Sequence, residues 1–229
     1  MGFKLLIFRP AGMGYMRPET SDWLCKLHAE LLHSGRCDDL GMTGFNTYRS
    51  IMGRNKAIKT AIDAKCDYLL MVDPDMVPDM YVGKHPKAKH FFSSSLAWLE
   101  NYPGGMVGAP AVGGRPDYRP NVYRGREGID EKARELTHEE CRAALENPRM
   151  EHVSGIGSGL LLMDVNMFKK LKPPWFHDTF TDATNSKLKL GQDMYLCNIA
   201  AEAGIKVWCN WYSWAGHIKA EVLGCPGME

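Results

Sequence analysis

Five consecutive apolar residues, Tyr68-Leu69-Leu70-Met71-Val72, stop abruptly at Asp73-Pro74-Asp75. An unbroken apolar run of that length suits a central strand covered on both faces, so the chain must place helices on either side of a sheet. The run then delivers two carboxylates to the carboxyl edge of that sheet, where open α/β folds bind ligands. Two negative charges at one spot are costly unless a cation joins them. Hard divalent ions such as Mg²⁺ or Mn²⁺ take carboxylates together with substrate phosphates. A solvated acidic turn, helped by Pro74 and by Pro78-Asp79, is the alternative reading of the same residues.

The rest of the chain keeps the alternation of strand and helix. Phe3–Phe8 reads as a first buried strand ended by Arg9-Pro10. Trp23, Leu24, Leu27 and Leu31 recur at helical spacing, with Thr20, Ser21 or Asp22 as N-cap and Gly35 as the stop. A second helix carries Ile51, Ile58, Ala61 and Ile62 on one face, and Arg54, Asn55, Lys56 and Lys59 fall among its polar positions. A short helix over 93–101, strands near Met106–Val112 and Leu160–Met163, and a late strand over Lys206–Cys209 complete the core. Thr137-His138-Glu139-Glu140 predicts a capped helix through Asn147. Asp164 caps another short helix, and one that begins at Gly191-Gln192-Asp193 closes at Gly204.

Composition bounds the rest. In 229 residues, Lys plus Arg is 28 and Asp plus Glu is 27, a net charge of +1 that gives bulk charge no role in binding nucleic acid or membrane. Apolar residues at 45% and charged residues at 24% exclude disordered and collagen-like chains. The apolar runs are too short to span a bilayer, which predicts no transmembrane segment. The N-terminus lacks the h-region of a secretory signal. Seven cysteines, an odd number without C-x-x-C spacing, read as reduced and mostly buried thiols of a cytoplasmic protein. The expectation is one α/β domain over 1–229, interrupted by an Arg-, Glu-, Pro- and Gly-rich insertion at 113–150.

Two further residues suit metal or proton chemistry. His217 follows Gly216 where the chain can return to the sheet edge, and neutral imidazole is an acceptable ligand for Mn²⁺; a solvated histidine is the alternative. Asp193 at a helix start suits either capping or removal of a proton from an acceptor hydroxyl. Gly155, Gly157 and Gly159 precede a strand, so they fail the order of a dinucleotide-binding loop and instead permit close backbone approach. Gly12-Met13-Gly14-Tyr15-Met16-Arg17 does follow the first strand, but Pro18 disfavours helix at Arg17, and no helix is expected to open there.

Taken in order, these stretches resemble the GT-A-type glycosyltransferases, in particular family-2-like and compact phage-encoded members. The resemblance rests on Arg54-Asn55 in a helix, Asp67-Tyr68-Leu69-Leu70-Met71-Val72-Asp73-Pro74-Asp75, Gly157-Ser158-Gly159 before a strand, Gly191-Gln192-Asp193, and Gly216-His217. It implies a Rossmann-like mixed sheet flanked by helices and a nucleotide-sugar donor, most often UDP-linked, with Mn²⁺ or Mg²⁺ as cofactor. Residues 1–112 become the nucleotide-sugar half and 151–229 the acceptor half. Asp73, Asp75 and His217 are the implied metal ligands. Arg9, Pro10, Arg54, Asp73 and Asp75 fall on the donor side, Gly157, Ser158 and Gln192 on the acceptor side, and Asp193 becomes the catalytic base of an inverting transfer. Gln192 departs from the glutamate usual at its position.

Basic residues gather locally in spite of the neutral total: Lys84, His85, Lys87, Lys89 and His90, then Arg115, Arg119, Arg124 and Arg126 with Tyr118 and Tyr123 between them. Such loops can follow phosphates and stack on bases. Because compact phage-type members include enzymes acting on hydroxymethylated pyrimidines, DNA joins glycan, lipid-linked and protein hydroxyls as an expected acceptor, with the host cytoplasm as the setting. Two other functions fit parts of the sequence. A sugar-phosphate nucleotidyltransferase shares the layered scaffold and metal dependence, and a non-catalytic carbohydrate-binding module would leave the acidic residues without a role.

Overall fold

The computed structural model describes residues 2–10, 16–45, 50–112, 120–125, 134–181 and 188–218. In chain order the elements are β1 (Phe3–Phe8), α1 (Pro18–Ser34), β2 (Cys37–Thr43), α2 (Ser50–Asp63), β3 (Tyr68–Val72), β4 (Met76–Val77) and α3 (Phe91–Asn101). Then come β5 (Met106–Gly108), β6 (Val122–Arg124), β7 (Arg134–Glu135), α4 (His138–Glu146), β8 (Met150–His152), β9 (Gly155–Ile156) and β10 (Leu160–Asp164). A 3-10 helix (Val165–Lys170) leads to β11 (Thr179–Phe180), β12 (Leu188–Leu190), α5 (Gln192–Glu202), β13 (Val207–Asn210) and β14 (Gly216–His217).

Seven strands form the central sheet in the order β2-β1-β3-β10-β5-β13-β8. β1 runs parallel to β2 and β3, and β13 runs parallel to β5. β10 is antiparallel to both of its neighbours, as β8 is to β13. The sheet is therefore mixed, as expected. Alternate side chains go to opposite faces. Leu5, Ile7, Leu70, Val72, Leu160 and Leu162 pack with α1 and α3 residues such as Leu27 and Leu96. Leu6, Phe8, Leu69, Met71, Leu161 and Met163 pack on the other face with Ile58, Leu196 and Ala200 of α2 and α5. Tyr68–Val72 is thus the covered central strand that its composition requires. No helix among the described residues is long and apolar enough to cross a membrane.

Several local expectations change. α1 opens at Pro18, with Arg17 extended and Pro at the first turn, so a helix does begin directly after the first glycine loop. Proline is tolerated at that position because its missing N–H would have no helical partner. Residues 11–15 of the loop lie outside the described residues. Thr20 does not cap α1; its buried hydroxyl donates to the carbonyls of Pro74 and Met76. β2 is an edge strand that the sequence pattern does not show, because Asp38 and Asp39 break any apolar alternation and stay exposed. Of the described cysteines, Cys197 and Cys209 are buried, while Cys25 is exposed and Cys37, Cys66 and Cys141 are part-buried. No disulfide joins the described cysteines, but the expectation that most are buried does not hold.

The capping box at Thr137 and Glu140 forms as read, and α4 stops one residue before Asn147. Val122, Leu136 and Ala144 from the 113–150 segment join the main core, so this stretch contributes buried packing as well as cover.

Asp79 ties several of these parts together. Its carboxylate accepts from the Phe91 N–H at 2.6 Å, the Ser213 hydroxyl at 2.9 Å and the Trp23 indole at 2.7 Å, with His90 at 3.0 Å. Replacing it with alanine leaves buried donors from three separate segments without an acceptor. Asp79→Ala should lower unfolding free energy by about 2–4 kcal/mol in urea titration. Asp79→Asn should cost less, since asparagine keeps one acceptor oxygen and tolerates the positive φ of 59° found here. Equal losses for the two variants would refute this account.

Candidate active site

The carboxyl ends of β1 and β3 meet the loop before β10, and the acidic turn is built there. The Asp73 N–H donates to the Gly159 carbonyl at 2.7 Å, continuing the β3–β10 ladder by one bond. The Pro74 carbonyl accepts from the Arg17 N–H at 2.9 Å and from the Thr20 hydroxyl at 3.1 Å. The N-terminus of α1 therefore grips the turn from one side. From the other, β4 pairs with β14, setting Gly216 opposite Val77 and His217 opposite Met76. That pairing carries His217 across 142 positions of sequence to Asp75, with Nε2 3.0 Å from Oδ2.

Asp73 faces inward. One terminal nitrogen of Arg54 donates to both of its oxygens, at 2.9 and 2.8 Å, and the other terminal nitrogen reaches Asp193 Oδ1 at 3.3 Å. Arg54 is 4% exposed, so this polar position of α2 is buried. Its guanidinium also lies 5.5 Å from the centre of the Phe176 ring. Burial works against the charged guanidinium, yet Asp73 and Asp193 outweigh it and hold the Arg54 pKa above the ordinary arginine value. Burial pushes the Asp73 carboxyl above the ordinary carboxylate range, Arg54 pulls it back, and Asp193 and Asp75 push with the burial. The turn is thus an acidic cluster organised around one buried cation.

Asp193 sits in the first turn of α5, whose N-cap is Gly191. Its Oδ1 also accepts from the Ser158 hydroxyl at 2.5 Å. The preceding residue, Gln192, joins Ser50 at the start of α2, donating from Nε2 at 2.9 Å. Gly157 packs against Asn121, where a Cβ would overlap the amide of that side chain. Arg9 and Pro10 lie just past β1, with the Arg9 N–H bonded to Thr43 O at 3.1 Å and no partner for the buried Arg9 Nε among the described residues.

The structure accordingly brings Arg54, Asp73, Ser158 and Asp193 into one connected group, beside the Asp75–His217 pair. Asn55 and Phe176 are additions that the sequence pattern did not reveal. Asn55 Oδ1 accepts from the Trp175 and Phe176 N–H groups, and its amide donates to the Phe176 carbonyl, so it fixes the segment that lies against Arg54. A helical Asn next to a helical Arg was the available signal, but nothing local says that both point inward.

A carboxylate oxygen and an imidazole nitrogen at the sheet edge leave most of a six-coordinate shell for phosphate oxygens and water, which is how Mg²⁺ and Mn²⁺ are commonly held. The donor chemistry of Asp75 and His217 fits such an ion. Among the described residues no group of three or more His, Cys, Asp or Glu side chains is arranged to hold a metal, and Asp75 with His217 would be a partial shell. A cavity of about 450 Å³ lined by His152, Asn198, Glu202 and Lys206 lies at the opposite end of the sheet, apart from these carboxylates.

Several of the described basic residues are committed elsewhere. Arg124 is held by Glu140 at 3.0 Å and Glu151 at 2.5 Å. Lys87 donates to the Glu146 carbonyl, Lys89 lies over the Tyr212 ring, and His90 meets Asp79. Arg115, Tyr118, Arg119 and Arg126 lie outside the described residues.

No protein-family model matches the sequence, and no curated protein matches it. Solved structures do match in fold. A197 from STIV superposes with a TM-score of 0.59 at 17% identity, over 94% of this chain and 86% of that one. GalNAc-T7, solved with UDP, GalNAc and Mn²⁺, superposes with a TM-score of 0.51 at 12% identity over 95% of this chain. This chain spans 44% of that protein. The fold is GT-A-like.

Arg54→Ala would leave Asp73 and Asp193 facing each other without their shared cation. Because Asp193 is part-exposed, the cost should fall near the low end for a broken buried pair, about 3 kcal/mol in urea titration. A change below ~1 kcal/mol would show that water screens the two carboxylates and that Arg54 does not hold the site together.

Proposed function

We propose that this chain is a metal-dependent glycosyltransferase that moves a sugar from a UDP-sugar to an acceptor hydroxyl. The observation that carries the reading is the linked group Asp73–Arg54–Asp193 beside the Asp75–His217 pair, all at the carboxyl edge of a GT-A-like sheet. The fold likeness to a protein crystallised with UDP, GalNAc and Mn²⁺ supports it.

In this reading Asp75 and His217 hold the divalent ion, and Asp73 stands behind them with its carboxylate fixed by Arg54. The ion, when bound, supplies charge stabilisation for the departing diphosphate. Arg9, past β1, is placed to meet the nucleotide end of the donor, with Pro10 shaping that wall. Gly157 and Gln192 border the acceptor side. Asp193 removes the proton from the acceptor hydroxyl as its oxygen forms a bond to the anomeric carbon. The bond from that carbon to the diphosphate oxygen breaks, its electron pair leaves with UDP, and direct displacement inverts the anomeric centre.

The test is a donor screen with Mn²⁺, scored by released UDP, with and without hydroxymethylated DNA beside glycan acceptors. UDP release should cease in EDTA and return with Mn²⁺. Asp193→Asn should lower the rate by ~10²–10⁴-fold, the range for a lost general base. Asp75→Ala and His217→Ala should each lower it by about 100-fold or more. An anomer-resolved NMR spectrum should show inversion; retention would remove Asp193 as the base of a direct attack. Pyrophosphate release from a nucleoside triphosphate and a sugar phosphate, with no turnover of nucleotide sugars, would replace the reading with nucleotidyl transfer.

A further inference from the structure

Asp193 receives two hydrogen bonds from side chains, and both fall on the same oxygen. The Ser158 hydroxyl donates to Oδ1 at 2.5 Å and Arg54 donates to Oδ1 at 3.3 Å. Among the described residues no side chain donates to Oδ2. The two oxygens of this carboxylate are therefore unlike: one is anchored, and the other is open on a side chain that is 35% accessible.

Ser158 is well fixed for such a role. It is buried, at 1% exposure, in a three-residue loop pinned on both sides. On one side the Gly157 N–H donates to the Asn121 carbonyl at 2.9 Å, with its α-carbon pressed on the Asn121 side chain. Asn121 is itself tied down, its Oδ1 accepting from the Ala111 N–H at 3.0 Å. On the other side the Gly159 carbonyl accepts from the Asp73 N–H, and β10 begins at the next residue. The hydroxyl thus projects from a rigid loop of the sheet onto the first turn of α5. Groups that orient a reacting carboxylate work best from such supports, because misplacement by about 1 Å can cost ~10²-fold in rate.

We propose that Ser158 is a positioning residue for the transfer reaction: it clamps Oδ1 of Asp193, together with Arg54, so that Oδ2 is the oxygen presented to the acceptor hydroxyl. This rests on the reading of Asp193 as the base. It differs from an acceptor-contacting role for Ser158, since the hydroxyl is spent on the carboxylate and the side chain is closed to solvent. It also assigns Arg54 a second task, because the same guanidinium sets the orientation of the donor-side carboxylate Asp73.

The test compares Ser158→Ala, Ser158→Thr, Asp193→Asn and the Ser158→Ala/Asp193→Asn double variant. The readouts are UDP release from the UDP-sugar identified in the donor screen, and Mn²⁺-dependent UDP affinity by calorimetry. Ser158→Ala should lower kcat by roughly 10- to 100-fold. The KM for the UDP-sugar and the UDP affinity should stay within about two-fold and the calorimetric binding stoichiometry should match wild type, a combination that loss of folded protein or of donor binding would not give. Ser158→Thr, which keeps the hydroxyl, should recover most of the rate. In the Asp193→Asn background the Ser158→Ala change should have almost no further effect, as expected of two groups that act as one unit. An unchanged kcat in Ser158→Ala overturns the proposal, as does a multiplicative loss in the double variant. If wild-type protein releases UDP and only the Ser158 results fail, the positioning role falls while the glycosyltransferase reading stands. No UDP release from any nucleotide sugar by wild type removes both.

Discussion

The site depends on a single buried cation. Arg54 reaches from α2 to Asp73 at the end of β3 and to Asp193 at the start of α5. These positions come from separate stretches of the chain, and the guanidinium is what allows their carboxylates to share a small volume. Burying an arginine is favourable only when its donors are satisfied by charged partners in good geometry. Here the two terminal nitrogens are bonded and the ring of Phe176 lies against the guanidinium, while the Nε has no partner among the described residues. The planar fork matters: a lysine would place one point charge where two acceptors must be reached in different directions.

What made much of this legible was the coincidence of a local pattern with a local outcome. Tyr68–Val72 is apolar throughout and is covered on both faces; Thr137 and Glu140 are three apart and form their reciprocal cap; Gly35 ends α1 in the left-handed conformation at φ 63°. Each depends on neighbours within a few residues. The burial of Arg54 was not legible for the opposite reason. In a helix rich in Lys and Asn a charged residue reads as solvated, and its burial follows from acceptors 19 and 139 positions away. β2 was missed because an edge strand can be held by backbone pairing to β1 without an apolar side-chain signature. Asn55 and Asn121 belong with Arg54: their amides serve backbone groups brought near only by the complete fold.

The glycine-rich stretch before β10 shows how the two kinds of information combine. Its residue types suggested close backbone approach, and its position before a strand failed the order of a dinucleotide-binding loop. The partners were not readable: Asn121 against Gly157, and Met76 with Asp73 near Gly159. Those partners turn a permissive sequence into a stiff connector between the acidic turn and α5. The basic residues of 84–90 and Arg124 run the other way. As a charge pattern they suggested a surface for polyanions, yet several are drawn into contacts with Glu140, Glu146, Glu151, Asp79 and Tyr212. Local charge density in a sequence does not by itself mean available charge.

The arrangement of charges also bears on what the site can accept. Asp73, Asp75 and Asp193 face one guanidinium and one imidazole, so carboxylates outnumber fixed cations at this sheet edge. Asp73 lies deepest and is pushed toward its neutral form by burial first and by the other two carboxylates after that. A site of this kind repels a bare diphosphate and attracts a divalent ion; with the ion present, the excess negative charge is offset and phosphate becomes welcome. The order of charges from the core outward is then Arg54, Asp73, the Asp75–His217 pair, and beyond them the solvent side on which the proposed donor would enter. Asp193 shares Arg54 with Asp73, so the residue proposed as base and the carboxylate behind the proposed ion's ligands are held by one side chain. That common anchor fixes the spacing between the two halves of the chemistry more firmly than a contact confined to either half.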